Sequence, residues 1–199
     1  MSNLISPYKN IKQHTRISLE PYHMNSDIRN NMKIILKKKV EKKCNKNGFI
    51  DEVYRIIEYN DGILIADNLN GAAIYNISYH CRICAPIENT IIICIIKLVN
   101  NDLIIGINGP LFIFIPKNNV DGNTWDIANN FTHKNNNKKL TIGEYVKIQI
   151  NDKRINQGDT QIKIIGKLLD YASNNEIEKY YGIVKEETTQ TNDESNFII

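Results

Sequence analysis

Apolar and polar positions alternate over residues 14–20, and this alternation predicts a β-strand that ends at Pro21. Apolar residues then recur at helical spacing and predict one buried helix face: Met24, Ile28, Met32, and Ile35 or Leu36. Asn25 or Ser26 is placed to cap this helix. The lysines at positions 37–39 lie at its C-terminal end, where cations interact favourably with the helix dipole. A phosphate-binding patch is the alternative interpretation of these three charges.

The pattern after the helix indicates several antiparallel strands. Strands are predicted over residues 40–44, 49–57, 63–65 and 72–85. Gly48 lies in a turn between the first two, where glycine supplies a backbone angle that other residues avoid. One helix among antiparallel strands predicts a small α+β domain, with the helix on one face of the sheet.

After Pro86 the pattern becomes all-β. Five short strands are predicted, over residues 90–98, 103–107, 111–115, 145–150 and 161–168. A long polar connection, residues 117–143, separates the third strand from the fourth. This arrangement is typical of a small Greek-key barrel of the oligonucleotide-binding (OB) type.

The change of pattern divides the chain into three expected segments. Residues 1–85 form the α+β domain, residues 86–185 form the barrel with a short last element, and residues 186–199 form a flexible tail. The tail contains four acidic residues and no basic one, whereas the whole chain has a net charge of +3. A charge this small is by itself a weak indication of RNA binding.

The composition excludes several classes of protein. The first ten residues contain no apolar core long enough for a signal peptide. The most apolar run, from Thr90 to Leu98, contains Lys97 and is too short to span a bilayer. We therefore expect an intracellular protein without a membrane contact. Its four cysteines are expected to be reduced thiols, because no secretory signal accompanies them.

The sequence contains no recognisable catalytic motif. A phosphate-binding Gly-Lys loop, a His-Glu-x-x-His motif and a carboxylate pair in an apolar setting are all missing. Cys81-x-x-Cys84 has half the spacing of a zinc site, but structural zinc needs four ligands, and Cys44 and Cys94 are isolated. Buried thiols are favoured over zinc. We expect no active site, no metal and no cofactor.

Several short motifs follow one another in a fixed order between Ile17 and Tyr171. In the first half they are Ile17-x-Leu19-x-Pro21, Val40-Glu41-x-x-Cys44, Gly48-Phe49-Ile50 with Val53, and Gly71-x-x-x-Tyr75-x-Ile77-x-Tyr79. In the second half they are Asn108-Gly109-Pro110-Leu111, Phe114-Ile115, Gly143-Glu144-x-Val146, Arg154, and Gly166-Lys167-Leu168-Leu169-Asp170-Tyr171. This series resembles the stalk subunit of archaeal and eukaryotic-type multisubunit DNA-directed RNA polymerases, which is the seventh subunit of the eukaryotic enzymes.

The resemblance implies a non-catalytic subunit with two tasks. Its first domain would dock on the polymerase core, and its barrel, of the S1 type, would contact nascent single-stranded RNA. A small helical partner subunit would pack along both domains. The family's docking tip corresponds here to the loop before the Gly-x-x-x-Tyr strand, with five candidate docking residues: Asn60, Asp61, Gly62, Asn70 and Gly71.

Barrels of this type bind RNA on the face of their second and third strands and on flanking loops. Aromatic rings stack on bases there, and lysine or arginine side chains contact phosphates. The candidates for such contacts are Phe112, Phe114, Lys117, Trp125, Lys147, Arg154, Lys163 and Lys167. For the aromatic residues the alternatives are structural: Phe112 and Phe114 in the core, and Trp125 as an anchor of the long connection. For each lysine the alternative is a solvated charge.

Two other functions fit parts of the sequence. A free-standing S1-type RNA-binding protein, acting in translation or RNA metabolism, would explain the barrel but not the first domain. A nuclease would need a cluster of metal-binding carboxylates, which the sequence does not show. The skewed composition suggests a large DNA virus or an AT-rich parasite as the source. We expect the protein in the nucleus if it is cellular, and in the host cytoplasm and virion if it is viral.

Overall fold

β-Strands dominate the structure, a computed structural model that describes residues 4–64, 69–127 and 131–182. The first half contains β1 (Tyr8–Leu19), α1 (Ile28–Val40), β2 (Lys43–Asn45), β3 (Gly48–Tyr59), β4 (Ile63–Leu64) and β5 (Ala73–Cys84). The second half contains β6 (Ile91–Val99), β7 (Leu103–Asn108), β8 (Leu111–Pro116), β9 (Trp125–Asp126), β10 (Thr132–His133), β11 (Tyr145–Arg154) and β12 (Ile162–Tyr171). Residues 174–182 are helical and are called α2.

The first half folds as an antiparallel sheet with the strand order β1-β5-β3-β2, and β4 pairs with β5. α1 covers one face of the sheet, as the helical spacing predicted. Met32 and Leu36 of α1 are fully buried in one core with Ile17, Ile77 and Tyr79 of the sheet. Burial of this apolar face is what holds a short helix in place.

Several boundaries in this half differ from the predicted ones. The strand predicted over residues 40–44 is reduced to β2, Lys43–Asn45, because α1 extends to Val40. β1 begins at Tyr8, before the predicted residue 14, because its first residues pair with the end of β5 near Cys84. α1 begins after Asp27, not after Asn25 or Ser26. The Asn25 Oδ1 atom accepts the N–H of Asp27 at 3.0 Å, so this side chain stabilises the turn that precedes the helix.

The second half folds as a closed five-stranded barrel, which confirms the predicted barrel. The strand order is β6-β7-β8-β12-β11, and β11 pairs with β6 to close the ring. All of these pairs are antiparallel except β8 with β12, which run parallel. Alternate residues point inward and are fully buried, among them Ile104, Leu111, Ile113, Ile148 and Ile164. The sequence predicted these strands from short apolar runs bounded by turn residues, and the structure adds which side of each strand is buried.

The long connection between β8 and β11 is packed against the barrel. β9 and β10 pair within it, and Trp125, Phe131 and Leu140 are buried in the barrel core. The N–H of Asp121 donates to the carbonyl of Leu168 at 3.1 Å, which joins the connection to β12. The described residues of the connection therefore pack against the barrel as part of its fold.

The sheet and the barrel share part of one core. Cys44, Phe49 and Cys84 of the sheet belong to the buried cluster that fills the barrel. Two main-chain hydrogen bonds add to this contact. The N–H of Cys44 donates to the carbonyl of Asp159 at 2.7 Å, and the N–H of Gly158 donates to the carbonyl of Cys44 at 2.9 Å. The β11–β12 loop is thus attached directly to β2.

α2 covers one end of the barrel. Its first turn carries a capping box. The Ser173 N–H donates to the Glu176 carboxylate at 2.9 Å, and the Glu176 N–H donates to the Ser173 hydroxyl at 3.3 Å. Tyr180 is buried, and its hydroxyl accepts a hydrogen bond of 2.9 Å from the amide of Asn108 at the end of β7. The tail predicted at residues 186–199 lies outside the described residues.

Candidate nucleic-acid interface

The outer face of β7, β8 and β12 carries aromatic and aliphatic side chains. Along β8 the inward residues are fully buried, while Phe112 and Phe114 point outward and are only partly buried. Their rings pack edge to face, with centroids 5.0 Å apart. Neither ring belongs to the barrel core, so the structural alternative for this pair is wrong.

Strand register brings three predicted residues into one row across the barrel. Phe112 lies opposite Lys163 on β12, and Lys163 lies opposite Arg154 on β11. Both cationic side chains are exposed. An aromatic ring and two cations in neighbouring strand positions supply the two contacts that a single-stranded nucleic acid requires, stacking and phosphate binding.

The next row along the same face is apolar. Phe114 lies between Ile105 of β7 and Ile165 of β12, and Ile165 is 42% exposed. Ile105 is partly buried. A strip of this kind can hold the face of a base that has left its stack.

Lys117 and Lys167 lie further along the same side of the barrel. Lys117 is exposed in the short 3-10 turn that follows β8. Lys167 points to the outside of β12, as Lys163 and Ile165 do, and is partly buried. The turn contacts β12 through Asn119, whose side-chain amide lies 3.4 Å from the carbonyl of Gly166. The two lysines thus extend the set of cations formed by Arg154 and Lys163. These cations lie beside the outward side chains of Phe112, Phe114, Ile105 and Ile165, which we call the aromatic strip.

Trp125 does not join this group. Its side chain is 1% exposed, and its indole N–H donates to the carbonyl of Leu169 at 3.0 Å. The ring packs against those of His133 and Tyr171, with centroids 5.2 and 5.0 Å away. Because no face of the indole is open to a base, Trp125 anchors the long connection to β12, which was the structural alternative for it.

Lys147 is also engaged elsewhere. Its ammonium group pairs with the Glu176 carboxylate at 3.2 Å, and its side chain is only 17% exposed. This pair joins β11 to the first turn of α2 on a part of the barrel covered by that helix. Lys147 therefore supports α2 in the structure, and the aromatic strip lies on other strands.

The five predicted docking residues lie in the exposed segments on either side of residues 65–68, which are outside the described residues. Asn60, Asp61 and Gly62 precede β4, and Asn70 and Gly71 precede β5. Gly71 has a φ of +65°, and a side chain at this position would meet Pro21 at 3.3 Å. The backbone here is therefore shaped around glycine.

The sequence reasoning missed an apolar surface beside these residues. Ile63, Leu64 and Leu69 are 60, 68 and 98% exposed, and Tyr22, next to Pro21, is 68% exposed. The signal was present in the apolar run at residues 63–65, which predicts a short strand but not its exposure. β4 is only two residues long and pairs with β5 outside the main strand order, so its side chains remain exposed to solvent. We call these four residues the apolar tip.

The cysteines are buried thiols. All four are free, and burial raises the pKa of Cys44 to about 11 and of Cys81 and Cys94 to about 12. Burial raises the pKa of Cys84 as well. Among the described residues, no group of three or more His, Cys, Asp or Glu side chains is placed to hold a metal ion. Nor does any helix in the described ranges have the length and apolarity needed to cross a membrane.

No protein-family model matches the chain. A protein of Acanthamoeba polyphaga mimivirus, provisionally named a DNA-directed RNA polymerase subunit, is 38% identical to it over 176 residues, which cover 88% of each chain. This similarity extends through both the sheet and the barrel, so it concerns the whole arrangement and not one motif. The chain belongs to the family of viral DNA-directed RNA polymerase subunits that includes this mimivirus protein.

Proposed function

We propose that the chain is a non-catalytic stalk subunit, which docks on the polymerase core with its first sheet and contacts nascent RNA with its barrel. The observation that carries the docking part is the apolar tip. Exposed aliphatic side chains that cluster on a soluble domain mark a surface that a partner covers. The tip lies beside the segments in which the sequence placed the docking residues.

Burial of the tip would supply a useful share of the docking energy. Fully burying one leucine side chain contributes about 1.5–3 kcal/mol, and Leu64 and Leu69 are both mostly exposed in the free chain. A glutamate at either position would leave an unpaired charge in the interface, which is strongly unfavourable. These two positions are therefore the most sensitive places to test docking.

The experiment is affinity purification of the tagged chain from infected cells, followed by mass spectrometry. We expect the two largest polymerase subunits to be recovered with the wild-type chain, and at least about tenfold less with Leu64→Glu/Leu69→Glu. Ile142→Glu is the matched control, because Ile142 is 64% exposed and lies on the long connection of the barrel. Equal recovery with the tip variant and the control would contradict docking through the tip.

The same purification tests two further parts of the proposal. A small helical subunit recovered in near-stoichiometric amount would be the partner that the family resemblance implies. Recovery of the complex from virions and from the host cytoplasm would agree with transcription outside the nucleus. If only ribosomal material and RNA are recovered, the chain acts as a free-standing RNA-binding protein instead.

The RNA part of the proposal rests on the type of barrel and on its outer face. The order β6-β7-β8-β12-β11, with its single parallel pair, supports an OB-type barrel of the S1 kind. Phe112 and Phe114 lie on the third strand of this barrel, where such domains stack bases, and Lys163 and Arg154 flank them.

We expect Phe112→Ala/Phe114→Ala to weaken binding of a short oligouridylate about tenfold or more, since stacking on an aromatic ring contributes about 1–3 kcal/mol per base. Tyr22→Ala is the matched control, because it removes an exposed ring from the apolar tip. Fluorescence anisotropy measures the affinity, and thermal melting checks that each variant folds. Unchanged affinity of a folded double variant would rule out this face as the RNA site.

A further inference from the structure

A cleft of about 500 Å³ lies where the sheet meets the barrel. Its walls come from β1, the C-terminal end of α1, β2 and the β11–β12 loop. Four exposed lysines line it: Lys12, Lys39, Lys43 and Lys46. None of the described residues that line the cleft is acidic, but the Lys12 ammonium pairs at 2.8 Å with the Glu58 carboxylate, which lies outside the lining. A concave surface lined by one sign of charge concentrates the field and attracts polyanions.

Local hydrogen bonds hold the lysines around the cleft. The Lys39 ammonium donates to the carbonyl of Arg16, and that of Lys43 donates to the carbonyls of Lys38 and Lys39 at 3.3 Å each. These carbonyls belong to β1 and to the end of α1. An ammonium group has three N–H donors, so each of these lysines keeps donors for an anion.

A buried amide adds a donor to the same cleft. Gln13 is 6% exposed, and its Oε1 atom accepts a hydrogen bond of 2.7 Å from the side chain of Asn45. Its Nε2 atom has no hydrogen-bond partner within the described part of the chain. A buried donor without an acceptor is unfavourable, and an oxygen-rich ligand in the cleft would supply the missing acceptor.

The chemistry of the cleft favours a phosphate backbone over a peptide strand. β1 is an edge strand, but the main-chain carbonyl of Arg16 on it already accepts a hydrogen bond from the Lys39 ammonium. Two rings line the cleft: Tyr79 is 1% exposed, and the exposed imidazole of His14 is held by a hydrogen bond of 2.8 Å between its Nδ1 atom and the Ser78 hydroxyl. The lysines and amides are therefore the main groups open to a ligand. Point charges and amide donors remain, and phosphate groups require only these.

The cleft is connected to the barrel face by one hairpin. Arg154 and Lys163 face each other at the base of the β11–β12 loop, beside Phe112. Gln157 and Gly158, at the tip of the same loop, line the cleft. A strand of RNA that leaves the aromatic strip past Arg154 can follow this hairpin into the cleft.

We propose that the cleft is a second phosphate-binding site, which holds the backbone of single-stranded RNA after the bases have passed the barrel face. This inference rests on the proposed RNA contact of the barrel and extends it to the first half of the chain. The barrel face supplies base stacking, and the cleft supplies charge without base recognition. The two sites therefore differ in their dependence on RNA length and salt.

The test compares two oligouridylates, of about 6 and about 20 nucleotides, since one barrel of this type covers about 4–16 nucleotides. Lys12→Gln/Lys46→Gln in the full chain is expected to weaken the longer oligonucleotide about tenfold and to lower its salt slope by about 1.4, or 0.7 per phosphate contact. The shorter oligonucleotide should bind as before. Lys33→Gln/Lys179→Gln, which removes two charges outside the cleft, is the matched control.

Each of the other outcomes contradicts a different part of the proposed RNA binding. If Phe112→Ala/Phe114→Ala weakens both oligonucleotides but the cleft variant weakens neither, the cleft is not an RNA site and the barrel proposal stands. If the wild-type chain binds neither length at low salt, the RNA proposal fails as a whole. If an oligoglutamate peptide displaces the longer RNA and its binding alone depends on Lys12 and Lys46, the cleft binds an acidic protein segment.

Discussion

Single aromatic residues of the barrel differ sharply in exposure, and exposure decides what each can do. Trp125 and His133 are buried against β12, where the Nε2 atom of His133 lies 3.1 Å from Asp170. Phe112 and Phe114 are turned outward on β8. The first pair stabilises the long connection, and the second pair remains accessible from solvent. Residue type alone could not separate the two groups, because both are aromatic residues near apolar runs.

The role of Trp125 can be tested by a small change. Trp125→Phe keeps most of the apolar ring but removes the hydrogen bond to the carbonyl of Leu169, so we expect the free energy of unfolding to fall by about 1 kcal/mol. RNA affinity should not change while the variant is folded. Denaturant titration measures the first quantity and anisotropy the second. A variant of normal stability that binds RNA weakly would restore Trp125 to the RNA site.

At the scale of the element, α2 depends on a few polar contacts around Glu176. The backbone N–H of Ser173 is the main reason that the pKa of Glu176 lies below its ordinary value of 4.5, and Lys147 lowers it further. A depressed carboxyl pKa stabilises the folded state at every pH above the ordinary value. This contribution disappears as the pH falls below 4.5 and through the lower pKa of the folded state.

Glu176→Gln should therefore destabilise the protein in a pH-dependent way. We expect a loss of about 1 kcal/mol at pH about 7, typical of a helix-capping side chain, and a smaller difference from wild type at pH about 3. Glu178→Gln is the control, because Glu178 is exposed on the same helix. Denaturant titrations at the two pH values give the comparison. A difference that persists undiminished in acid would show that the charge of Glu176 is not responsible.

At the scale of the whole molecule, the regular parts followed from the sequence and the irregular contacts did not. Short apolar runs between turn residues located the barrel strands, and helical spacing located the buried face of Met32 and Leu36. The pairing of Lys147 with Glu176 joins residues on separate elements, and no local pattern contains it. The apolar tip was missed for a related reason, since Ile63 and Leu64 have the composition of a buried strand and differ only in lacking a cover.

The cleft is another feature that local sequence patterns could not predict. Lys39 was visible in the sequence as part of a basic run, for which a solvated helix end and a phosphate patch were both open. Its position opposite Lys12 and Lys46 depends on how β1, α1 and β2 meet. Sequence spacing does not encode this meeting, because the three elements are joined by packing of the core and not by one repeating pattern.

The parallel pairing of β8 with β12 also sets the order in which the chain can fold as it is made. The first sheet is complete once Cys84 has left the ribosome, but β8 keeps an open edge until residues 162–171 follow. The indole N–H of Trp125 likewise has no acceptor until Leu169, whose carbonyl accepts its hydrogen bond, has been made. A nascent chain that stalls before β12 therefore carries unpaired strand edges and uncovered apolar residues, the features by which chaperones and proteases select their substrates. Synthesis of β12 thus pairs the open edge of β8 and supplies the hydrogen-bond acceptor of Trp125 at the same step.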